Sequence, residues 1–225
     1  MILEGAYSHQ EKIMQLIGML DSPYVRRVAI SLQLLGIAFQ HRSISVFRTF
    51  EQFRQINPVV KAPSLVCDDE TVLMDSTLML QYAESLAGPG KSLMPAGVAE
   101  GLHALRVIGL ALAACEKSIQ IIYERSLRPA EKQHEPWISR VTGQLLAAYE
   151  ALEQEVSRVP LQTPFGAINQ AGITAAVAWY FTQATLPEIV VSSTFPMLER
   201  FSAASERLPE FRAAPHGAGT YPHTD

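Results

Sequence analysis

The chain has little of what marks the more specialised protein classes. Cys67 and Cys115 are its only two cysteines in 225 residues. They are too few for a disulfide framework and too far apart for a C-x-x-C redox pair, so a reducing, cytoplasmic setting is expected. Charge of one sign is missing as well. Eighteen Lys and Arg against 22 Asp and Glu give a net charge of -4, which argues against a chain-wide electrostatic footprint for nucleic acid or an anionic membrane surface. The longest apolar runs, Val107–Cys115 and Gly172–Phe181, fall short of the roughly 18 residues of a membrane span, so no membrane crossing is expected. The six histidines, His9, His41, His103, His134, His216 and His223, show no metal-ligand spacing with cysteines or carboxylates, and no metal is expected. Internal repeats and low-complexity tracts are absent. What remains is 48% hydrophobic and 18% charged, with 13 Gly and 14 Pro: a globular chain of one large or two small domains.

Residues 1–13 carry Glu4, His9, Glu11 and Lys12 and have neither a basic opening nor an apolar stretch of signal-peptide length. Met14 directly precedes the first strong apolar run, so 1–13 read as an extension and the fold is expected to begin at Met14. The run from Met14 to Leu20 predicts a strand buried on both faces. Val25, Val28, Ala29, Leu32 and Leu35 then recur at helical spacing. Ser22 suits the N-cap of that helix, Pro23 its first position, and Gly36 its left-handed stop. Phe39–Ser45 reads as a second strand, and Phe47, Phe50, Phe53 and Ile56 as a helix face ending at Asn57-Pro58. Ser64–Cys67 and Val72–Met74 are short strands with a turn between them, followed by a helix from Ser76 to about Leu86.

The predicted order to that point is β-α-β-α-β-β-α, over residues 14–88. Gly88-Pro89-Gly90, Pro95 and Gly97 mark a linker. Beyond it, over 97–214, only helices are expected: Val98–Leu127, Trp137–Val156, Gln170–Thr185, Pro196–Ala204 and a short one near Pro209. Residues 160–166 read as a Pro-containing loop and 215–225 as a flexible tail. The fold class is therefore α/β plus all-α.

A β-α-β-α-β-β-α unit that opens with S-P-Y-V-R-R-V, passes through N-P-V-V-K-A-P and M-D-S, and leads into an all-helical domain resembles the cytosolic glutathione S-transferases, of a serine-type, bacterial-like kind. The resemblance runs from Met14 to about Phe211. It implies a thioredoxin-like first domain that binds glutathione as co-substrate, a helical second domain that holds a small electrophile, and a homodimer.

Glutathione conjugation needs a thiolate at neutral pH, and a free thiol titrates near about 8.5. A hydroxyl donor at a helix N-terminus favours the anion twice over, through its hydrogen bond and through the helix amides. Ser22 offers both and is the expected catalytic residue, though its position also suits a plain N-cap. By the resemblance, Ser76 holds the γ-glutamyl α-carboxylate and Asp75 faces the amino group. The Ala62–Pro63 bond is expected to be cis, leaving the Ala62 backbone to pair with the cysteinyl residue as an added strand. Arg48 or Lys61 is the candidate for the glycine carboxylate. Tyr24, Tyr123 and Trp179 are candidates to line the second-substrate pocket.

Two features depart from the family pattern. Asn169 can cap the helix that follows, but Gly172 stands where the family often has Asp, so a weaker helix start is expected. The leader 1–13 has no counterpart. Neither cysteine occupies the Ser22 position, which argues against thiol transfer and dehydroascorbate-type reduction, and both read as core residues. Alternatives stay open: a non-catalytic ligand-binding or regulatory protein of the same fold, or a glutathione-dependent isomerase, dehalogenase or peroxidase.

Overall fold

A computed structural model of the chain describes residues 13–162 and 168–222. Most of the leader, part of the 160–166 loop, the last three residues, and with them His9 and His223, lie outside the described residues.

The first half contains β1 (Met14–Ile17), α1 (Pro23–Leu35), β2 (Phe39–Arg42), α2 (Phe50–Ile56), β3 (Ser64–Val66), β4 (Val72–Met74) and α3 (Ser76–Leu86). Its sheet has the order β2-β1-β3-β4, with β1 parallel to β2 and antiparallel to β3, and β3 antiparallel to β4. The second half is helical: α4 (Val98–Leu127), α5 (Glu135–Arg158), α6 (Gln170–Thr185), α7 (Pro196–Ser205) and α8 (Pro209–Ala213). The α/β plus all-α expectation holds, element by element.

Local chemistry sets the turn that matters most for the site. At the end of β1, Gly18 has φ +137°, and a Cβ there would stand 2.6 Å from Val25 Cγ2 of α1. Only glycine lets the strand end come this close to the helix. Ser22 caps α1, its Oγ accepting from the Val25 amide at 3.4 Å, Pro23 is the first helical residue, and Gly36 ends the helix at φ +71°. The predicted α2 face is shorter than expected. The helix starts only at Phe50, Phe53 alone of the four apolar residues is fully buried, and Phe47 stays outside and exposed.

The core does not divide cleanly between the halves. Leu16, Val28, Leu32 and Met79 pack in one cluster with Ile173, Val177, Phe201 and Phe211 of the helical half. α6 makes this possible because every residue from Gln170 to Trp179 is buried, as in a helix enclosed on all sides. Asn169 caps it by accepting from the Gly172 amide at 3.0 Å. α4 is long and apolar enough to cross a membrane by length and composition alone, but it packs along α5 and α6 with Val107, Ala111, Ala114 and Cys115 in the core. The tail from 215, expected to fray, makes defined contacts among its described residues: the His216 ring lies against Tyr180 and Phe181 of α6, the Tyr221 ring stacks on Phe39 at 4.8 Å, and the Tyr221 amide donates to His41 Nδ1 at 2.9 Å.

Candidate functional site

The starts of α1 and α3 and the turn before β3 border one cleft of about 470 Å³, with α4 as its far wall. Tyr24, Lys61, Ala62, Pro63, Asp75 and Ser76 line it together. The sheet topology brings them there, because β1 and β3 are neighbours and α3 follows β4 directly. The Ala62–Pro63 peptide is cis. Ser22 lies two residues before Tyr24, half-buried, at the α1 cap. Two larger clefts, of about 740 Å³ between α5 and α7 and about 730 Å³ beside α4 and the 92–95 linker, contain none of the expected site residues.

At the α3 end of the cleft, Asp75 adopts φ +70°, a left-handed conformation costly for a residue with a side chain. Its Oδ1 caps α3 by accepting from the Thr77 amide at 2.9 Å, and its Oδ2 lies 3.5 Å from Lys61 Nζ. Ser76 is only 3% exposed. Its Oγ accepts from Arg27 Nη1 at 3.2 Å, and the same nitrogen donates to Thr77 Oγ1 at 3.3 Å. Burial pushes the Arg27 guanidinium down to about 10, so it remains a cation at neutral pH. Burial also raises the Tyr24 phenol well above its ordinary range, with Cys115, Glu116 and Asp75 adding to the shift. Tyr24 is therefore a neutral donor. Burial pushes the Cys115 thiol up to about 12 and raises Cys67 as well, which leaves both as protonated thiols.

Residues 16–91 match the family of glutathione S-transferase N-terminal domains. The chain is 27% identical over 165 residues to YibF, an uncharacterized GST-like protein of Escherichia coli, across 73% of this chain and 80% of that relative. A glutathione transferase family member from Pseudomonas fluorescens, solved with bound glutathione, aligns with a TM-score of 0.77 at 25% identity, covering 89% of this chain and 98% of the other. Residues 16–91 are thus a glutathione S-transferase N-terminal domain, and the chain as a whole has the glutathione S-transferase fold. A further glutathione S-transferase, from Methylobacterium radiotolerans and in complex with glutathione sulfonate, shares the fold with a TM-score of 0.80 at 22% identity, covering 95% and 97% of the two chains.

In this glutathione S-transferase fold the other candidates fall in different places. Tyr123, on α4, meets Phe47 of the β2–α2 loop edge to face, with ring centroids 5.6 Å apart. Both rings are partly exposed, and burial and the nearby Asp21 raise the Tyr123 phenol, so the pair stands beside the loop that carries Ser22. Arg48 is anchored to that same loop, with Nη2 3.5 Å from Met19 Sδ, and does not line the cleft. Trp179 is a correction. It is 2% exposed, packs against Tyr149 and Phe195, and donates Nε1–H to Glu199 at 2.9 Å, so it belongs to the helical core and not to a pocket wall. Its helix is enclosed on all faces, which leaves the indole no route to the cleft.

Other residues at the cleft escaped the sequence reading, Thr77, Leu112 and Ala113 among them. Gly109 and Glu116 line the cleft from α4, where nothing in an amphipathic pattern distinguishes them. Arg27 did carry a signal: Arg26 and Arg27 are two cations inside the otherwise apolar run Val25–Ile30, and each needs a reason to be there. Among the described residues there is no group of three or more His, Cys, Asp or Glu placed to hold a metal ion.

Proposed function

We propose that the chain is a glutathione transferase, which binds glutathione along its first half and directs the thiolate at a small electrophile held against α4. The observation that carries this reading is the convergence of Tyr24, the cis Ala62–Pro63 step and Asp75–Ser76 on one cleft, with Ser22 at the adjoining helix cap.

Each end of the tripeptide finds chemistry that suits it. The Ser76 hydroxyl and the first amides of α3 suit the γ-glutamyl carboxylate, and Asp75 suits the amino group. The Ala62 backbone suits the cysteinyl residue. Lys61 is the better candidate for a terminal carboxylate, because it lines the cleft and its pairing with Asp75 is long and exposed and therefore easily exchanged, whereas Arg48 does not line the cleft. The Ser22 oxygen already accepts from an amide, which leaves its O–H free to donate to sulfur. That bond and the α1 dipole both stabilise the anion. The sulfur lone pair then forms the new S–C bond as the electrophile's leaving group departs with its electrons, or as an activated double bond accepts them. Tyr24 on the cleft, and Tyr123 with Phe47 beside the Ser22 loop, suit the apolar side on which such a carbon would rest.

Assembly follows from the surface. Leu78, Tyr82 and Leu86 on α3 and Val98, Leu102 and Leu105 on α4 are exposed at helical spacing, an apolar face that a homodimer would cover. Two free, buried cysteines fit a reducing cytoplasm.

The test is a calorimetric titration with glutathione in buffers of different ionisation enthalpy, which counts released protons. Binding with proton release near neutral pH, followed by turnover of an aryl halide or an activated alkene, is the expected result. Binding without turnover of any electrophile would make the chain a carrier, and no binding at millimolar glutathione would overturn the proposal.

A further inference from the structure

Residues 18–22 join β1 to α1 and end on Ser22. Within this turn the Ser22 amide donates to the Met19 carbonyl at 3.1 Å, and the Gly18 amide continues the strand pairing to the Arg42 carbonyl at 3.1 Å. Its other ties run to the far end of the chain. His41 on β2 is 2% exposed and bonded through both ring nitrogens: Nε2 donates to the Gly18 carbonyl at 2.7 Å, and Nδ1 accepts from the Tyr221 amide at 2.9 Å. Together these bonds require a neutral ring with its proton on Nε2. At the other end of the turn, the His216 ring reaches the backbone of Asp21 while lying against Tyr180 and Phe181. Arg26, in the first turn of α1, donates Nε–H to the Ala214 carbonyl at 2.8 Å. The strap 214–221 is itself fastened, by the Tyr221 ring stacked on Phe39 and by Ser43 Oγ, which donates to the Ala218 carbonyl at 2.8 Å. A buried imidazole bonded at both nitrogens is a costly way to fill a place on β2, since an apolar side chain would need no partners there.

We propose that the C-terminal strap 214–221 is a positioning element for the Ser22 turn, acting on Gly18 through His41 and on Asp21 through His216. The assignment rests on the proposed glutathione reading, in which the Ser22 hydroxyl donates to the thiolate. Such a donor acts only at hydrogen-bond distance and angle, and a misplacement of about 1 Å at a reacting group can cost about a hundredfold in rate. Gly18, at φ +137°, has no side chain by which it can be held, and Asp21 is exposed. The main chain is therefore the handle, and the strap grips it on both sides of Met19 and Leu20. His41, His216 and Tyr221 do not line the cleft. Loss of the strap thus leaves the glutathione contacts at Ala62, Asp75 and Ser76 in place and disturbs the hydroxyl. Glutathione still binds, with its thiol left protonated.

The experiment compares the full chain with one ending at Pro215, with His216→Phe, and with His41→Leu and His41→Gln. It follows the pKa of the bound glutathione thiol by the ultraviolet absorbance of the thiolate, together with KM and kcat. For the chain ending at Pro215 the expected result is a bound thiol returned toward about 8.5, kcat lower by about ten- to hundredfold, and KM for glutathione changed by less than about threefold. His41→Leu should move the thiol the same way, and His41→Gln, which keeps a donor and an acceptor on one side chain, should recover part of the loss. In a Ser22→Ala background the shortening should add little, because the donor it positions is already gone. A bound thiol unmoved in the shortened chain and in His41→Leu, or an equal further shift in the Ser22→Ala background, would overturn the assignment and leave the strap a structural clasp. Should the shortened chain fail to fold, the bound thiol in His216→Phe, which keeps a ring against Tyr180 and Phe181, carries the same decision. Failure of the unsubstituted chain to bind glutathione with proton release overturns the glutathione reading itself, and this assignment with it.

Discussion

The guanidinium of Arg26 and the carboxylate of Glu206 face each other through two parallel bonds of 2.7 Å, tying the first helix of the α/β half to the end of α7. The pair is nearly out of water on the arginine side, and the Ala214 carbonyl accepts a further hydrogen bond from the same group. Removing one partner leaves the other a buried, uncompensated charge. Glu206→Ala should therefore cost about 2–4 kcal/mol of stability in urea unfolding. The exposed pair of Arg54 and Glu51 is the control: Glu51→Ala should cost less than about 1 kcal/mol. Similar losses for the two variants would show that burial does not decide the strength of the Arg26 pair.

Gly172 reverses the expectation drawn for the start of α6. Its lack of an acidic side chain reads as a weakness in a capping box, yet a Cβ at this position would stand 2.8 Å from Ile168 Cγ1 and 3.1 Å from Phe201 Cζ. The position is filled by neighbours. Gly172→Asp should destabilise by about 1–3 kcal/mol through overpacking despite the capping bond it could form. A thermal midpoint equal to or above that of the parent would restore the capping argument.

The contrast between these sites and the rest of the chain shows what the sequence made legible. Caps, turns and apolar periodicity are local, so β1, the Ser22 and Gly36 boundaries of α1, and the Ser76 start of α3 could be read directly. Ser76, Asp75, Ala62, Pro63, Lys61 and Tyr24 meet in one cleft because the motifs that carried them come from fixed places in that topology. What escaped depends on contacts between distant segments. The apolar run Gly172–Phe181 points to a buried helix, but nothing near Trp179 says that Tyr149 and Phe195 are what enclose it. Nothing near Tyr221 announces Phe39, and nothing near Gly172 announces Phe201.

Glu155 sets an acid limit on how α4 and α5 hold together. Hydrogen bonds from Arg106 and Arg158 hold its carboxyl down at about 2, from an ordinary value of 4.5. A depressed folded-state value stabilises the fold above the unfolded one and loses that contribution as the pH falls from about 4.5 toward about 2. The urea midpoint should thus drop more steeply across this window in the parent chain than in Glu155→Gln, which removes the titration. Parallel pH profiles would show that the two arginines do not stabilise the charged form.

Phe47 and Tyr123 bridge the two halves of the molecule beside the Ser22 loop, and their edge-to-face contact lies on the side proposed for the second substrate. Such a ring pair is worth about 0.5–1.5 kcal/mol and can be displaced by a flat ligand. Phe47→Ala should raise kcat/KM for bulky electrophiles relative to small ones by about three- to tenfold, with glutathione affinity little changed. An unchanged ratio would move the electrophile away from this pair.

Ser22 has two roles to separate, since the hydroxyl that caps α1 is also the proposed donor to sulfur. Ser22→Ala removes both. It should cost about 1 kcal/mol of stability through the lost cap, and should move the acid limb of the kcat/KM profile to higher pH as the bound thiol returns toward about 8.5. Ser22→Asp separates the roles, because a carboxylate caps a helix well but donates no proton and repels a thiolate. Near-parental stability combined with turnover at or below that of Ser22→Ala is expected for Ser22→Asp. Ser22→Thr, which keeps both the acceptor and the donor, should stay close to the parent in each respect. If Ser22→Asp is as active as the parent, the hydroxyl is a cap and nothing more, and thiolate stabilisation passes to the α1 amides and the Tyr24 phenol.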